Sequence, residues 1–168
     1  GCQTFLSLGD VVGYGPQPVE CIDLLMQIGA TNILGNHDGY LVEGETCQRS
    51  KVVAQIIEYH RTLVTLAHLE WLGGSLSHLV LDDMLFVHGG PRDHRDQYLY
   101  KVSESMIPDG FRWLFSGHTH VQIKAQFSSR GYCNPGAVGQ PRDGDWRAAY
   151  AIVDSGEVHL QRVAYDVE

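Results

Sequence analysis

Three features of the 168-residue sequence predict a mixed α/β (α+β) fold. Short apolar runs that stop at glycine alternate with helical patterns over roughly the first 74 residues. After residue 75, apolar runs of strand length are separated by tight turns, which favours hairpins. The composition, 43% hydrophobic and 19% charged, is typical of a globular protein with a core. We therefore expect one domain over residues 1–168, with two mixed sheets packed together.

The N-terminal part is predicted to begin with strand, helix and strand, and to continue as a long helical region. Residues 5–8 form a short apolar strand, and Pro18 suits the first turn of the helix that follows. A second short strand covers residues 31–34. The apolar stripe of residues 50–72 predicts helical structure, long enough for two helices, that ends at the glycines of positions 73–74.

The C-terminal part is predicted to be mostly strand. Residues 79–81 and 84–87 read as two strands joined by a tight turn, and we expect a short helix that ends at Met106. Further strands are predicted over residues 112–115, 121–127, 148–153 and 158–163.

Bulk charge and cysteine usage limit the classes of function. The formal net charge of -8 argues against charge-driven binding to nucleic acid or to an anionic membrane. No N-terminal signal and no long apolar stretch are seen, and the oligomeric state is open, with a homo-oligomer compatible with the sequence. The cysteines lack C-x-x-C spacing, so we expect reduced, buried thiols and a cytoplasmic protein. They are Cys2, Cys21, Cys47 and Cys133.

Polar residues follow four of the predicted strands. The four segments are Gly9-Asp10, Gly35-Asn36-His37-Asp38, Val87-His88-Gly89-Gly90 and Gly117-His118-Thr119-His120. Together they offer oxygen and nitrogen ligands without a thiolate, which suits manganese, iron, zinc or cobalt better than calcium or copper(I). Two such ions roughly 3.5–4 Å apart would share a hydroxide and polarise a phosphoryl group. The pattern therefore predicts a dinuclear site that attacks phosphate esters with water.

Two other histidines are interpreted differently. His60 and His68 lie within the predicted helical region, and neither has a second metal-type residue at i+4. We interpret both as half-buried helix residues and not as ligands.

These segments resemble the calcineurin-like metallophosphoesterases, most closely the small bacterial phosphodiesterase-type branch. The resemblance runs from Phe5 to about Asp166 and includes the segment from Asn134 to Asp145. It implies a four-layer α-β-β-α sandwich of two mixed sheets, with metals at the strand ends. It also implies two divalent ions, manganese first, with iron, zinc, nickel or cobalt as alternatives.

The resemblance assigns roles by position. Asp10 would bridge the two metals, and His120 would hold the first. Asn36, His88 and His118 would hold the second metal. His37 would protonate the leaving oxygen, with Asp38 orienting its imidazole. Arg142 would contact the small phosphoester substrate, with a surface role as the alternative.

The sequence departs from the family pattern in two places. The opening Asp-x-His-Gly-Asn motif, which supplies two ligands of the first metal, is absent before Gly9. We expect a fragment that lacks the family's first strand and helix; a shortened protein would leave the first metal with only Asp10 and His120. Protein serine/threonine phosphatases and dinucleoside tetraphosphatases bind phosphate with the arginine of an Asp-Arg-Gly motif. This sequence has Gly13-Tyr14-Gly15 at that place, which disfavours those two activities.

Two alternatives to a phosphodiesterase remain open from the sequence. A retromer subunit that resembles this fold shows that the scaffold can serve binding alone, so a non-catalytic interaction module is the second hypothesis. The presence of His37 together with His118 and His120 favours the enzyme over such a module. The third is a structural domain in which one metal only stabilises the loops.

Overall fold

The computed structural model describes residues 2–166. They form two compact units, here called the N-terminal unit, residues 2–78, and the C-terminal unit, residues 79–166. The predicted mixed α/β fold is confirmed, since four α-helices and both parallel and antiparallel strand pairs are present in this part of the chain. The packing of two sheets into four layers stays a prediction, as does the single domain over residues 1–168.

The N-terminal unit places a pair of parallel strands among four helices. Strand β1, Leu6–Ser7, pairs with β2, Thr31–Asn32. The residue after β2, Ile33, forms an isolated parallel bridge with Leu76. The helices are α1, Pro18–Gln27; α2, Asn36–Glu43; α3, Lys51–Leu63; and α4, Leu66–Gly73.

Local signals explain where these helices begin and end. Pro18 opens α1, where its missing N–H has no partner to lose. The side chain of Ser50 caps α3 by accepting from the Val53 N–H, and Thr65 caps α4 in the same way. Gly44 ends α2 in the left-handed conformation, with φ of 72°.

The core of the N-terminal unit lies beneath these helices. Its fully or nearly buried members are Val12, Ile22, Leu41, Cys47, Val53, Ile57 and Leu72. They come from all four helices and from two of the connecting loops, so helix packing holds the parallel strand pair in place.

The C-terminal unit contains a five-stranded sheet with the strand order β3-β4-β5-β7-β6 and a separate hairpin, β8–β9. The central strands β4, β5 and β7 are parallel to one another, and the edge strands are antiparallel to their neighbours. The strands are β3, Leu79–Leu81; β4, Met84–Phe86; β5, Trp113–Phe115; β6, Ile123–Gln126; β7, Gly131–Asn134; β8, Ala148–Asp154; and β9, Glu157–Val163.

The central strands of this sheet are buried. Every residue of β5 and β7 is buried, and the core includes Leu85, Val87, Leu99, Ile107, Leu114 and Tyr132. Strands buried on both faces read as short continuous apolar runs, which is the pattern that predicted β4 and β5.

Several details differ from the expectations. Helix α2 and strand β7 were not predicted, and the expected helix before Met106 is a 3₁₀ turn over Glu104–Met106. Cys47 and Cys133 are buried as predicted, but Cys2 and Cys21 are exposed, so their expected burial is wrong. No helix within residues 2–166 has the length and apolar character needed to cross a membrane.

Candidate metal centre

Asp10 and Asn36 follow the two parallel strands of the N-terminal unit, so both lie at the carboxyl ends of those strands. Glycines let the two segments touch. A Cβ atom at Gly9 would lie 2.5 Å from the Gly35 nitrogen, and one at Gly35 would lie 2.2 Å from Asp10 Oδ1. Asn36 is 5% exposed and opens helix α2. The two predicted ligand segments are therefore in direct backbone contact.

Asp38 ties these segments together. It is fully buried, and its carboxylate accepts hydrogen bonds from the N–H groups of Asp10 at 2.9 Å, Val12 at 3.2 Å and Gly35 at 3.1 Å. Such N–H groups stabilise the ionised form of a carboxylate. The bond to Gly35 also belongs to the capping box that starts α2.

His37 lies in the first turn of α2 and is 7% exposed. Its backbone N–H donates to Asp10 Oδ1 at 2.9 Å, and its Nδ1 lies 3.8 Å from Asp10 Oδ2. The rings of Tyr14 and Tyr40 flank its imidazole, with centroids 5.1 and 6.1 Å away. The predicted general acid thus lies against the carboxylate predicted to bridge the metals.

His60 has a role that sequence reasoning missed. Its Nδ1 accepts from the Gly13 N–H at 3.2 Å, and its Nε2 donates to the Gly15 carbonyl at 3.0 Å. Both bonds together require the neutral tautomer with the proton on Nε2. Burial lowers the pKa of His60, and this outweighs the opposing effect of the Gly15 carbonyl. It is fully buried, not half-buried as expected.

The loop that His60 holds packs against His37. Gly13 has φ of 99°, and a Cβ atom there would lie 2.1 Å from His37 Nδ1. Only glycine allows this approach, because a side chain would have to occupy the position of the imidazole. The second helical histidine, His68, contacts Asp23 through Nε2 at 3.1 Å and caps α4, in agreement with a structural role. It is also buried, at 7% exposed, and not half-buried as expected.

His88 and His118 follow the parallel strands β4 and β5 of the C-terminal unit. They are 1% and 5% exposed, and His88 Nε2 lies 3.0 Å from His118 Nδ1. Two nitrogens each about 2.1 Å from one ion, at right angles, would be about 3.0 Å apart. The pair therefore fits adjacent ligands of a single divalent metal.

His120 lies beside the loop that contains Arg142. The Nδ1 of His120 bonds to the Gln140 carbonyl at 2.9 Å, and the Arg142 N–H donates to the His120 carbonyl at 2.9 Å. A proton on Nδ1 places the lone pair of the imidazole on Nε2, the usual arrangement for a metal-ligating histidine. Arg142 is exposed, and its guanidinium bonds to Gln140 Oε1.

Asn134 organises the Gly117-His118-Thr119-His120 segment from the end of β7. Its Nδ2 donates to the Gly117 carbonyl at 2.6 Å and to Thr119 Oγ1 at 3.0 Å, while its Oδ1 accepts from the Gly136 N–H. It is fully buried. The family resemblance included this position, but nothing in the sequence indicated which segment it would contact.

Backbone conformation sets three of the predicted ligands apart. Within residues 2–166, five residues other than glycine have positive φ. Asp82 and Ser155 belong to hairpin turns, where this is common. The other three are Asp10, His118 and His120, with φ of 56°, 62° and 60°. Such strain in non-glycine residues concentrates at functional sites.

Histidine, carboxylate and amide side chains at the carboxyl ends of parallel strands are typical of metal-dependent hydrolases with an α/β fold. The comparisons with known proteins agree. The chain belongs to the calcineurin-like phosphoesterase superfamily, whose domain model matches residues 1–157. Membership of this superfamily supports a hydrolase that uses divalent metals.

Individual relatives match nearly the whole chain in sequence or in structure. The crystal structure of a metallophosphoesterase from Sphaerobacter thermophilus is 30% identical, with a TM-score of 0.85 over 99% of this chain and 80% of that chain. The hypothetical protein PH1004 from Pyrococcus horikoshii shares the fold at 18% identity, with a TM-score of 0.88 over 99% and 77%. The uncharacterized protein MJ0912 of Methanocaldococcus jannaschii is 28% identical over all of this chain and 79% of its own length.

Proposed function

We propose that this protein is a dinuclear metal-dependent phosphodiesterase that hydrolyses a small phosphoester. The observation that supports this most directly is the pair of buried imidazoles, His88 and His118, whose nitrogens lie 3.0 Å apart at the ends of parallel strands. Membership of a phosphoesterase superfamily supplies the reaction class. The activity is proposed for the protein in the cytoplasm, without nucleic acid or membrane as partner.

The proposed metal ligands are Asp10, Asn36, His88, His118 and His120. The first two lie together in the N-terminal unit, and the three histidines lie on neighbouring segments of the C-terminal unit. Bound divalent ions, manganese first, would neutralise phosphoryl charge and lower the pKa of a water molecule. The donor set fits such ions, because it consists of imidazole, carboxylate and amide groups.

His37 is proposed to donate a proton to the leaving oxygen. Its backbone is fixed by the bond to Asp10, and its ring is confined by Tyr14, Tyr40 and the Gly13 backbone. Confinement keeps the imidazole in one orientation, which favours proton transfer to one atom.

Asp38 and Arg142 are proposed to support this chemistry. Asp38 would hold the His37 imidazole in place indirectly. Its carboxylate bonds to the N–H groups of Asp10 and Gly35, and Asp10 in turn accepts from the His37 N–H. Arg142 would contact the negative charge of the substrate, since its loop is bonded to His120.

Metal stoichiometry and turnover on the same preparation test the proposal. After loading with manganese, elemental analysis should find two ions per chain, and the loaded protein should hydrolyse bis(p-nitrophenyl) phosphate. Metal-free protein should be inactive and recover on reloading. Tight binding of two ions without hydrolysis of any phosphodiester or phosphomonoester would contradict the proposed activity and favour an interaction module or a structural metal.

A further inference from the structure

A stack of aromatic rings extends outward from His118. The ring centroid of Tyr98 lies 3.8 Å from that of the His118 imidazole. Tyr100 follows, 5.5 Å from Tyr98 and with ring planes only 10° apart. Tyr98 is 41% and Tyr100 66% exposed, so the end of the stack remote from His118 is open to solvent.

The residue between the two tyrosines, Leu99, anchors their backbone in the core. Leu99 is 5% exposed and packs in the core of the C-terminal unit with Leu85 and Leu114. Burial of Leu99 anchors the backbone between the two tyrosines, whose rings stay partly exposed.

The loop that precedes Tyr98, residues 91–97, is held by backbone hydrogen bonds. The N–H groups of Gly89 and Gly90 donate to the carbonyls of His94 and Asp93 at 2.6 and 2.9 Å. A Cβ atom at Gly89 would lie 2.8 Å from the Asp93 carbonyl oxygen and from the Gln97 nitrogen. The loop is therefore packed directly on the His88-Gly89-Gly90 segment, and it presents the tyrosines next to a proposed metal ligand.

Building on the proposed function, we propose that Tyr98 and Tyr100 form an aromatic platform that binds a planar aromatic group of the phosphoester substrate, a nucleobase or an aryl ring. The planes of the two rings are parallel to within 10° and both rings are partly exposed, which suits stacking of a third ring against them. The phosphate of the same substrate would lie on the side of the platform that faces His118. Stacking of a base on an aromatic side chain contributes about tenfold to binding.

Two matched ligand pairs test the platform by equilibrium binding to the manganese-loaded protein. Adenosine 5′-monophosphate and ribose 5-phosphate differ only in the base, and phenyl phosphate and methyl phosphate differ only in the aryl ring. We expect the aromatic member of at least one pair to bind about tenfold more tightly. The pair that shows the preference identifies a nucleobase or an aryl group as the occupant.

Three variants assign the preference to the platform. Tyr100→Ala should remove the preference for the aromatic member and leave the binding of the other member unchanged. Tyr100→Phe should retain it, because stacking needs the ring and not the hydroxyl group. Tyr150→Ala is the matched control, since Tyr150 lies on β8 of the same unit and is 40% exposed. That variant should bind all four ligands as the unmodified protein does.

The outcomes separate this inference from the proposed function. If the protein hydrolyses phosphoesters but binds both members of each pair equally, the platform is overturned and the phosphoesterase stands. A full aromatic preference in the Tyr100→Ala variant would also overturn it. If the protein neither hydrolyses any phosphoester nor binds any of the four ligands, the proposed function itself fails.

Discussion

The imidazole of His60 accepts a hydrogen bond from the Gly13 N–H, 47 positions earlier in the chain. Its other nitrogen holds the Gly15 carbonyl, so one buried ring fixes both ends of a three-residue loop. That loop approaches the His37 ring so closely that Gly13 has no room for a side chain. The position of the proposed general acid therefore depends on a buried histidine that is neither a proposed ligand nor the proposed acid.

Replacing His60 tests this dependence. His60→Leu removes both ring hydrogen bonds and leaves the buried Gly13 N–H without its partner, which should destabilise the protein by about 1–3 kcal/mol. The looser loop should also lower kcat more than it raises KM, while metal stoichiometry stays unchanged. Urea unfolding and steady-state kinetics measure the two effects. His68→Leu is the matched control, since it also loses helix-linked hydrogen bonds; an equal loss of kcat there would argue against a specific role for His60.

Replacing His37 tests the general acid. His37→Ala should reduce kcat by about 10²–10⁴-fold, the usual contribution of a positioned proton donor. Metal content should not change, because the proposed ligands remain. The loss should be smaller for a substrate with a good leaving group, such as p-nitrophenolate, which needs little protonation. Equal losses for good and poor leaving groups would refute proton donation by His37.

The proposed ligands are tested by metal analysis. His118→Ala should lower the number of manganese ions retained after dialysis, because one of two adjacent imidazoles is lost. His159→Ala removes an exposed histidine from β9 and should retain the full complement. Thermal unfolding of both variants, with and without manganese, provides a second readout, since metal that binds the folded state raises Tm. Undiminished metal content in His118→Ala would exclude it as a ligand.

Arg162 holds the loop that contains Arg142. Its guanidinium contacts the Asp143 carboxylate, donates to the Asp145 carbonyl at 2.8 Å and bonds to Gln122 Oε1 at 3.0 Å. Arg162→Ala should raise hydrogen exchange across residues 139–147 and increase KM more than it decreases kcat. Arg130→Ala, which removes an arginine that pairs with exposed Asp109, is the control and should leave this segment protected. Unchanged hydrogen exchange of residues 139–147 in Arg162→Ala would contradict the proposal that Arg162 holds this loop.

The hydrogen-exchange protection of residues 139–147 should also decrease at acidic pH. Burial alone would raise the pKa of Asp143, but the Gln122 N–H and the Arg162 guanidinium outweigh it and lower the pKa below the usual 3.8. A carboxyl group whose pKa is lower in the folded than in the unfolded protein stabilises the folded state at pH values above the unfolded pKa. This stabilisation is lost as the pH falls through the pKa of the folded state. Exchange protection of residues 139–147 should persist from neutral pH to 3.8 and fall below it. Loss of protection well above that pH would show that another group controls the loop.

The positions of the proposed ligands along the strands could be predicted from the sequence. Asp10, His88 and His118 each follow a short apolar run, and each lies just past the end of a strand in the structure. This was predictable because burial of a strand requires a local run of apolar residues, and a glycine or polar residue marks where burial stops. Helices α1, α3 and α4 were predictable for the same reason, with capping signals at their starts.

The contacts that hold these residues in place depend on the tertiary structure and could not be predicted from local sequence. Helix α2 was missed because Asn36, His37 and Gly39 are weak helix formers, and the helix is started by the capping box of Asp38. The partners of His60, Asn134 and Arg162 are remote in sequence, so no local pattern could indicate them. Apolar periodicity reports burial, which is a local property of the chain. Hydrogen-bond partners are chosen by the fold as a whole, which brings distant segments together.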